Sequence, residues 1–161
     1  MRLKNHSKIP YNLTSINPFM EYAEVKPSTI HGLGVFAKKF IPKNTIFWHA
    51  RPQDVLIMTK EQFLTLETSY KSPIMNDYLK GVLTYSYYEK DTDTLVFCLD
   101  DSRYINHSSN ANSGTSKDEP GFCAIADRDI DPGEEITEDY STYTFCPWLE
   151  KYRKFSEFKC W

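Results

Sequence analysis

What most narrows the fold of this chain is the length of its apolar runs. From Tyr22 onward they are strand-sized: "YAEVKPS", "GVFAKKF", "TIFWHA", "TLVFCLD" and "GFCAIADRDI", separated by residues that favour turns. The first two alternate apolar with polar side chains, as a strand with one buried face does, and Pro42 with Asn44 closes the second. "VLTYSYYEK" and "TLVFCLD" read as a hairpin turning around Asp91–Asp93. In "DPGEE", Pro132 and Gly133 take the central positions of a type II turn, the proline fixing φ and the glycine accepting φ > 0. Helix is expected in two places. One is "TKEQFLTLETSYKSPIMNDYLKG", capped by Thr59 with Gln62 completing a capping box and interrupted near Pro73. The other is the tail, where Trp148, Tyr152 and Phe155 recur at helical spacing. The expected fold is mostly β, with small curled sheets and few short helices.

Composition excludes several classes of function. At 161 residues, 40% apolar and 15% aromatic, the chain can bury one core and reads as one domain. A net charge of −3 lacks the basic surplus of a nucleic-acid binder, and a weakly acidic surface suits a basic partner such as a lysine-rich peptide. No run approaches the roughly 20 apolar residues of a membrane helix. "MRLKNHSKIPYNL" has neither the apolar stretch nor the cleavage site of a signal peptide, so a cytoplasmic location, or the cytoplasm or nucleus of a host cell, is the expectation. Cys98, Cys123, Cys146 and Cys160 form no CxC or CxxC pair. No metal site is expected; reduced, partly buried thiols are.

Three segments carry candidate chemistry: "HGLGVFA", "RYINHSSNAN" and "DPGEEITEDY". The first alone is weak, because a tight turn explains a lone GxG equally well. The second follows an apolar run directly, has no glycine, and holds three asparagines, a histidine and two serines. It is either a solvated connection or a polar site held against the core, in which case its groups must be paired. Asn106 offers two donors and an acceptor, and His107 one of each when neutral. The third segment ends on Tyr140.

In order and content these segments resemble the SET domain of protein lysine methyltransferases, over approximately Glu24 to Tyr140. The resemblance implies a SET fold with a knot-like C-terminal crossing that brings "EDY" under the NHS segment. It divides the chain into an N-terminal extension (1–23), the SET domain (24–143) and a short C-terminal segment closing the site (144–161). It implies S-adenosylmethionine as methyl donor, S-adenosylhomocysteine as product, no metal, and the ε-amine of a lysine in a protein or peptide, histone-like proteins included, as acceptor. His31, Gly32, Leu33 and Gly34 are then expected along the cofactor, with Asn106 and His107 and, less directly, Arg103. Tyr140 becomes the catalytic tyrosine, orienting the amine first and serving as base second, since a phenol of pKa about 10 is mostly protonated at neutral pH. Tyr85 is expected in the wall of the lysine channel, with Tyr87 and Tyr88 as rivals. Asp139 reads as a structural acceptor, and Glu134 and Glu135 as turn anchors or partners of Arg103 or Arg128.

The departures from the family pattern matter as well. Many members carry Phe or Tyr two residues before the catalytic tyrosine, where it tunes the number of methyl groups added; here that residue is Glu138. Ala111 stands where a proline is common. The cysteine-rich zinc segment that closes many members is missing, as in compact viral and bacterial SET proteins. Trp148 is the candidate to stack on the cofactor's adenine, with Tyr143, Phe145 and Trp161 as alternatives and simple packing on the domain as a further one. A monomer or a homodimer is compatible with all of this. The competing function is a SET-like interaction module without catalysis.

Overall fold

The computed structural model of the chain describes residues 17–69, 73–116 and 122–152. In chain order its elements are α1 (Phe19–Tyr22), β1 (Ala23–Pro27), β2 (Leu33–Ala37), β3 (Ile46–His49), β4 (Val55–Thr59), α2 (Lys60–Ser69) and α3 (Pro73–Tyr85). Then come β5 (Ser86–Glu89), β6 (Thr94–Cys98), a 3-10 turn at Asp101–Tyr104, β7 (Asn106–His107), β8 (Ser113–Thr115) and β9 (Cys123–Ala126). β10 (Glu135–Glu138) and two further 3-10 segments, Tyr140–Thr142 and Pro147–Tyr152, complete them.

Among the described residues, seven strands form one curled sheet in the order β1-β2-β10-β8-β9-β3, with β7 also paired to β10. Three more form β4-β6-β5. Two apolar clusters result, the first shared between the sheets through Val55, Val96 and Cys98 of the small one. Val35, Ile41, Phe47, Ile130 and Ile136 are fully buried on the larger one. Met58, Phe63, Leu79, Val82, Leu83, Leu95 and Leu149 form the other, between the small sheet, the helices and the tail. At roughly 25 cal/mol per Å² of apolar surface, these clusters supply most of the folding drive.

Local chemistry sets the boundaries where it was expected to. Thr59 N–H donates to Gln62 Oε1 at 2.9 Å while Gln62 N–H donates to Thr59 Oγ1 at 3.2 Å, a reciprocal cap at the start of α2. Glu134 N–H closes the turn onto the Asp131 carbonyl at 3.0 Å, with Gly133 at φ 84°. The β5–β6 hairpin turns through Asp93 at φ 52°.

Elsewhere the structure corrects the sequence reading. Residues 82–85, expected in a strand, are the last turn of α3, because Leu79, Val82 and Leu83 bury one helical face. β4 was not anticipated; it forms from the apolar run "VLIM" and pairs with β6, Ile57 opposite Val96. The tail forms a 3-10 segment over Pro147–Tyr152, and Phe155 lies outside the described residues.

β10 is the strand that positions the site. It pairs antiparallel with β2, Glu135 opposite Phe36, and parallel with β7, Thr137 opposite Asn106 and Glu138 opposite His107. Glu138 also stands opposite Ser113 of β8. The glycine segment and the polar segment thus flank the strand that leads into Tyr140.

Candidate functional site

The polar segment is built into the core. Asn106 and Asn112 are 9% and 1% exposed. Asn112 Nδ2 donates to the Glu135 carbonyl at 2.8 Å and to Glu134 Oε1 at 3.0 Å, while its Oδ1 accepts from Thr137 N–H at 2.9 Å. Ser113 Oγ donates to the Thr137 carbonyl at 2.9 Å. Such pairing is what a buried amide requires, since an unpaired one costs about 1–3 kcal/mol.

Asn106 ties this segment to the glycine loop. Its Nδ2 approaches the Leu33 carbonyl at 3.0 Å, the His31 carbonyl at 3.2 Å and Glu135 Oε1 at 2.8 Å. The donor end of the amide is thereby committed, which leaves the carbonyl end to meet a ligand. Glu135 is the hub: Ser28 Oγ donates to both its oxygens, at 2.8 and 2.9 Å. The loop itself is exposed at His31, Gly32 and Leu33. Gly32 has φ 48° with open space where a Cβ would stand, a backbone conformation that favours glycine. Gly34 is buried and takes glycine for a different reason, since a Cβ there would meet Glu135 Cδ at 2.8 Å and Ser28 Cβ at 2.9 Å.

His107 and Tyr140 sit beside this knot of bonds. The Tyr140 N–H donates to His107 Nδ1 at 3.1 Å, and the two rings lie 5.3 Å apart. With Nδ1 accepting, the neutral ring carries its proton on Nε2. The Tyr140 hydroxyl donates to the Ile105 carbonyl. Burial, and then the nearby Glu138 carboxylate, push this phenol well above its ordinary pKa, so it is a neutral donor at physiological pH. Asp139 caps the following turn by accepting from Ser141 N–H at 2.9 Å, and the Ser141 bonds hold its carboxyl below the usual range.

A cavity of about 250 Å³ opens on the other side of Glu138, lined by Tyr85, Tyr87, Tyr143, Trp48, Ile105 and Glu138 among others. Tyr140 and Tyr143 lie 5.3 Å apart, and the Tyr143 hydroxyl donates to Glu138 Oε2. Arg103 stands here too, its guanidinium 4.8 Å from the Tyr104 ring centroid and 5.8 Å from that of Tyr85.

The structure therefore brings together His31, Gly32, Leu33, Gly34, Asn106, His107 and Tyr140. It sets Arg103 and Tyr85 in the tyrosine-lined cavity. Trp148 is placed in the second apolar cluster, against Phe63 and Tyr88, with its indole N–H donating to Asp93 at 2.9 Å. Trp161 lies outside the described residues. Arg128, rather than Arg103, is the partner of Glu134. Asn112 is the organiser that sequence reasoning passed over, and Glu135, expected to anchor the turn or pair with an arginine, instead holds Ser28 and Asn106. Their presence in the matched segments was the available signal, but their partners are distant in sequence.

A family model described as SET domain matches residues 32–141. The chain belongs to the SET-domain family. No curated protein matches the sequence significantly. Among solved structures, this SET domain is similar to ctPRC2, in a structure with H3K27me3 and H3K27M, at 18% identity and a TM-score of 0.53, covering 73% of this chain and 14% of that one. A Plasmodium falciparum protein named for histone methyltransferase activity aligns at 21% identity and a TM-score of 0.48, covering 74% of this chain and 92% of that one. At 18% identity the likeness to ctPRC2 is one of fold.

Proposed function

We propose that this SET domain transfers a methyl group from S-adenosylmethionine to the ε-amine of a lysine in a protein substrate. The observation that carries the reading is the Asn106 amide. It bridges the glycine loop and Glu135, and so joins all three family segments into one site beside Tyr140.

The residues present fit such a cofactor. His31 to Leu33 offer an exposed backbone edge with open space at Gly32. Asn106 offers its carbonyl oxygen, and His107, half exposed, its Nε2. When bound, S-adenosylmethionine supplies an electrophilic methyl on a positively charged sulfur. Everything else falls to the protein. Glu135 and Ser28 fix the loop and the Asn106 rotamer before any ligand arrives, which saves ordering cost on binding. The Ile105 carbonyl holds the Tyr140 hydroxyl in place. A lysine has an ordinary pKa of about 10.4 and must become neutral to react. A half-buried, protonated phenol cannot take that proton readily, so Tyr140 orients the amine and leaves proton loss to water. The acidic balance of the chain favours basic lysine-rich segments, and histone tails are the first substrates to test.

The test combines binding with transfer. Titration calorimetry should show S-adenosylmethionine binding, and thermal denaturation a rise in Tm with cofactor. Labelled cofactor incubated with core histones should label lysines, mapped by mass spectrometry. Tyr140→Phe should bind cofactor within about threefold of wild type yet lose at least 100-fold in turnover, the size of effect that positioned polar groups confer. Binding without transfer to any protein substrate would favour the interaction module instead.

A further inference from the structure

Two cavities of about 250 Å³ each share one wall, made by Thr115, Glu138, Thr142 and Tyr143. Glu138 is 9% exposed, its backbone held between His107 of β7 and Ser113 of β8. One of the two cavities has aromatic side chains in its lining, Tyr85, Tyr87, Tyr143 and Trp48. We propose that Glu138 makes this cavity a receptor for an alkylammonium group and is the residue that selects the substrate's charged side chain. The proposal deepens the lysine-transfer reading and rests on it only for the identity of the cation.

The physical case starts from the carboxylate. A negative group in a poorly hydrated, aromatic-walled space attracts a cation far more than a neutral chain of the same shape, because the local dielectric is low. Ring faces add to that attraction, by about 0.5–2 kcal/mol per contact. The cavity already holds one cation against a lining ring, the Arg103 guanidinium 5.8 Å from the centroid of Tyr85. The other charged residues lining the cavity are Glu89 and Lys90. Glu89 is turned toward its own hairpin, accepting from Asp91 N–H at 3.0 Å. Glu138 is thus the carboxylate directed to the Tyr140 end, where Tyr143 bridges the two by ring contact and hydroxyl.

A phenyl or phenol at this position would narrow the cavity without adding charge. A carboxylate instead holds an ammonium through its N–H groups, which is a charge-assisted bond roughly twice as strong as a neutral one.

The test needs no knowledge of the natural substrate. In protein carrying 13C-methyl isoleucine, the Ile105 signal, assigned with Ile105→Val, reports on cavity occupancy. The probes are n-butylammonium chloride and n-butanol, which differ only in the terminal group. Wild type should bind the cation more than fivefold tighter than the alcohol, and Glu138→Gln should cut that ratio to below half. Tyr143→Phe, which removes the phenol that competes for the carboxylate, should keep the ratio at the wild-type value or above. A wild-type ratio below five, no shift with either probe, a ratio preserved in Glu138→Gln, or a fall in Tyr143→Phe overturns the proposal. S-adenosylmethionine binding is measured on the same samples. If the cofactor fails to bind while the cation preference holds, the transferase reading falls and the ammonium site stands.

Discussion

Gly34 shows how one atom can govern a site. A Cβ at this position would lie inside contact distance of the Glu135 carboxylate, 2.8 Å from Cδ, and 2.9 Å from Ser28 Cβ. Glu135 cannot swing aside cheaply, because Ser28 and Asn106 both hold it. Gly34→Ala should therefore cost about 1–3 kcal/mol, as overpacking does, and release Asn106 from the loop. Chemical denaturation should register the first effect, and a rise of tenfold or more in the Kd for S-adenosylmethionine the second. A Gly34→Ala protein as stable and as tightly binding as wild type would remove Glu135 from its central place. The sequence directed attention to this GxG because the family lays it along a cofactor. The reason for the second glycine is internal, and it could not be read, because Glu135 meets Gly34 only after β2 and β10 have paired. Asn106 was legible as a polar group of the site, but the commitment of its donor end was not.

At the scale of elements, what the sequence disclosed was local hydrogen-bond chemistry: the Thr59–Gln62 cap and the type II turn at Pro132–Gly133. What it concealed depends on tertiary packing. The "VLIM" run becomes β4 because β6 lies ready to pair with it, and residues 82–85 stay helical because Leu79, Val82 and Leu83 meet the second cluster. Trp148 joins that cluster for the same reason. The turn before β10 lends itself to a test by pH. Arg128 pairs with Glu134 through both nitrogens, Nη1 at 3.2 Å from Oε2. This pair first, helped by the Asn112 amide and the Asp131 N–H, holds the Glu134 carboxyl down to about 2. An unfolded Glu titrates near 4.3. Because the folded value is depressed, the stabilisation is fully present above about pH 4.3 and is lost as pH falls towards 2. The Arg128 side chain is 49% exposed, so solvent screening limits the pair to about 1 kcal/mol or less. Arg128→Ala should lower Tm by a constant amount between pH 5 and 8, and the gap to wild type should close as pH falls from 4.3 to 2. A gap that persists at pH 2 would assign the loss to packing by the Arg128 side chain.

For the molecule as a whole, the two sheets are joined twice: Val55, Val96 and Cys98 of the small sheet pack into the larger sheet's apolar cluster, and a hydrogen-bonded carboxylate stands where the chain crosses between them. The chain leaves the small sheet at Cys98 and enters the large one at Asn106, and Asp100 stands on that crossing. Its Oδ2 accepts from Trp48 Nε1 of β3 at 2.8 Å and from Asn17 Nδ2 at 3.0 Å; its Oδ1 accepts from Ser102 N–H at 3.1 Å and from the Ser102 hydroxyl. Asn17 also reaches Asp54, at the entry to β4, at 3.2 Å. Burial raises the Asp100 carboxyl above its ordinary pKa, opposed by the Ser102 and Trp48 bonds. Two effects therefore compete in Asp100→Asn. Removing the charge relieves a desolvation cost, while a carboxamide turns one of its two acceptor oxygens into a donor facing other donors. The second effect wins, because whichever way the amide is turned it sets a donor against N–H groups, that of Ser102 on one side or those of Trp48 and Asn17 on the other, at about 1–3 kcal/mol for each one left unpaired when buried, whereas the carboxylate being replaced is already well bonded. Asp100→Asn should lower the urea midpoint with the m-value and the single transition unchanged. It should also weaken S-adenosylmethionine binding, since the turn at Asp101–Tyr104 delivers Asn106 to the glycine loop. A variant as stable as wild type would mean that charge relief outweighs the bonds. A split into two transitions would mean that this one carboxylate, rather than the continuous packing around it, couples the sheets.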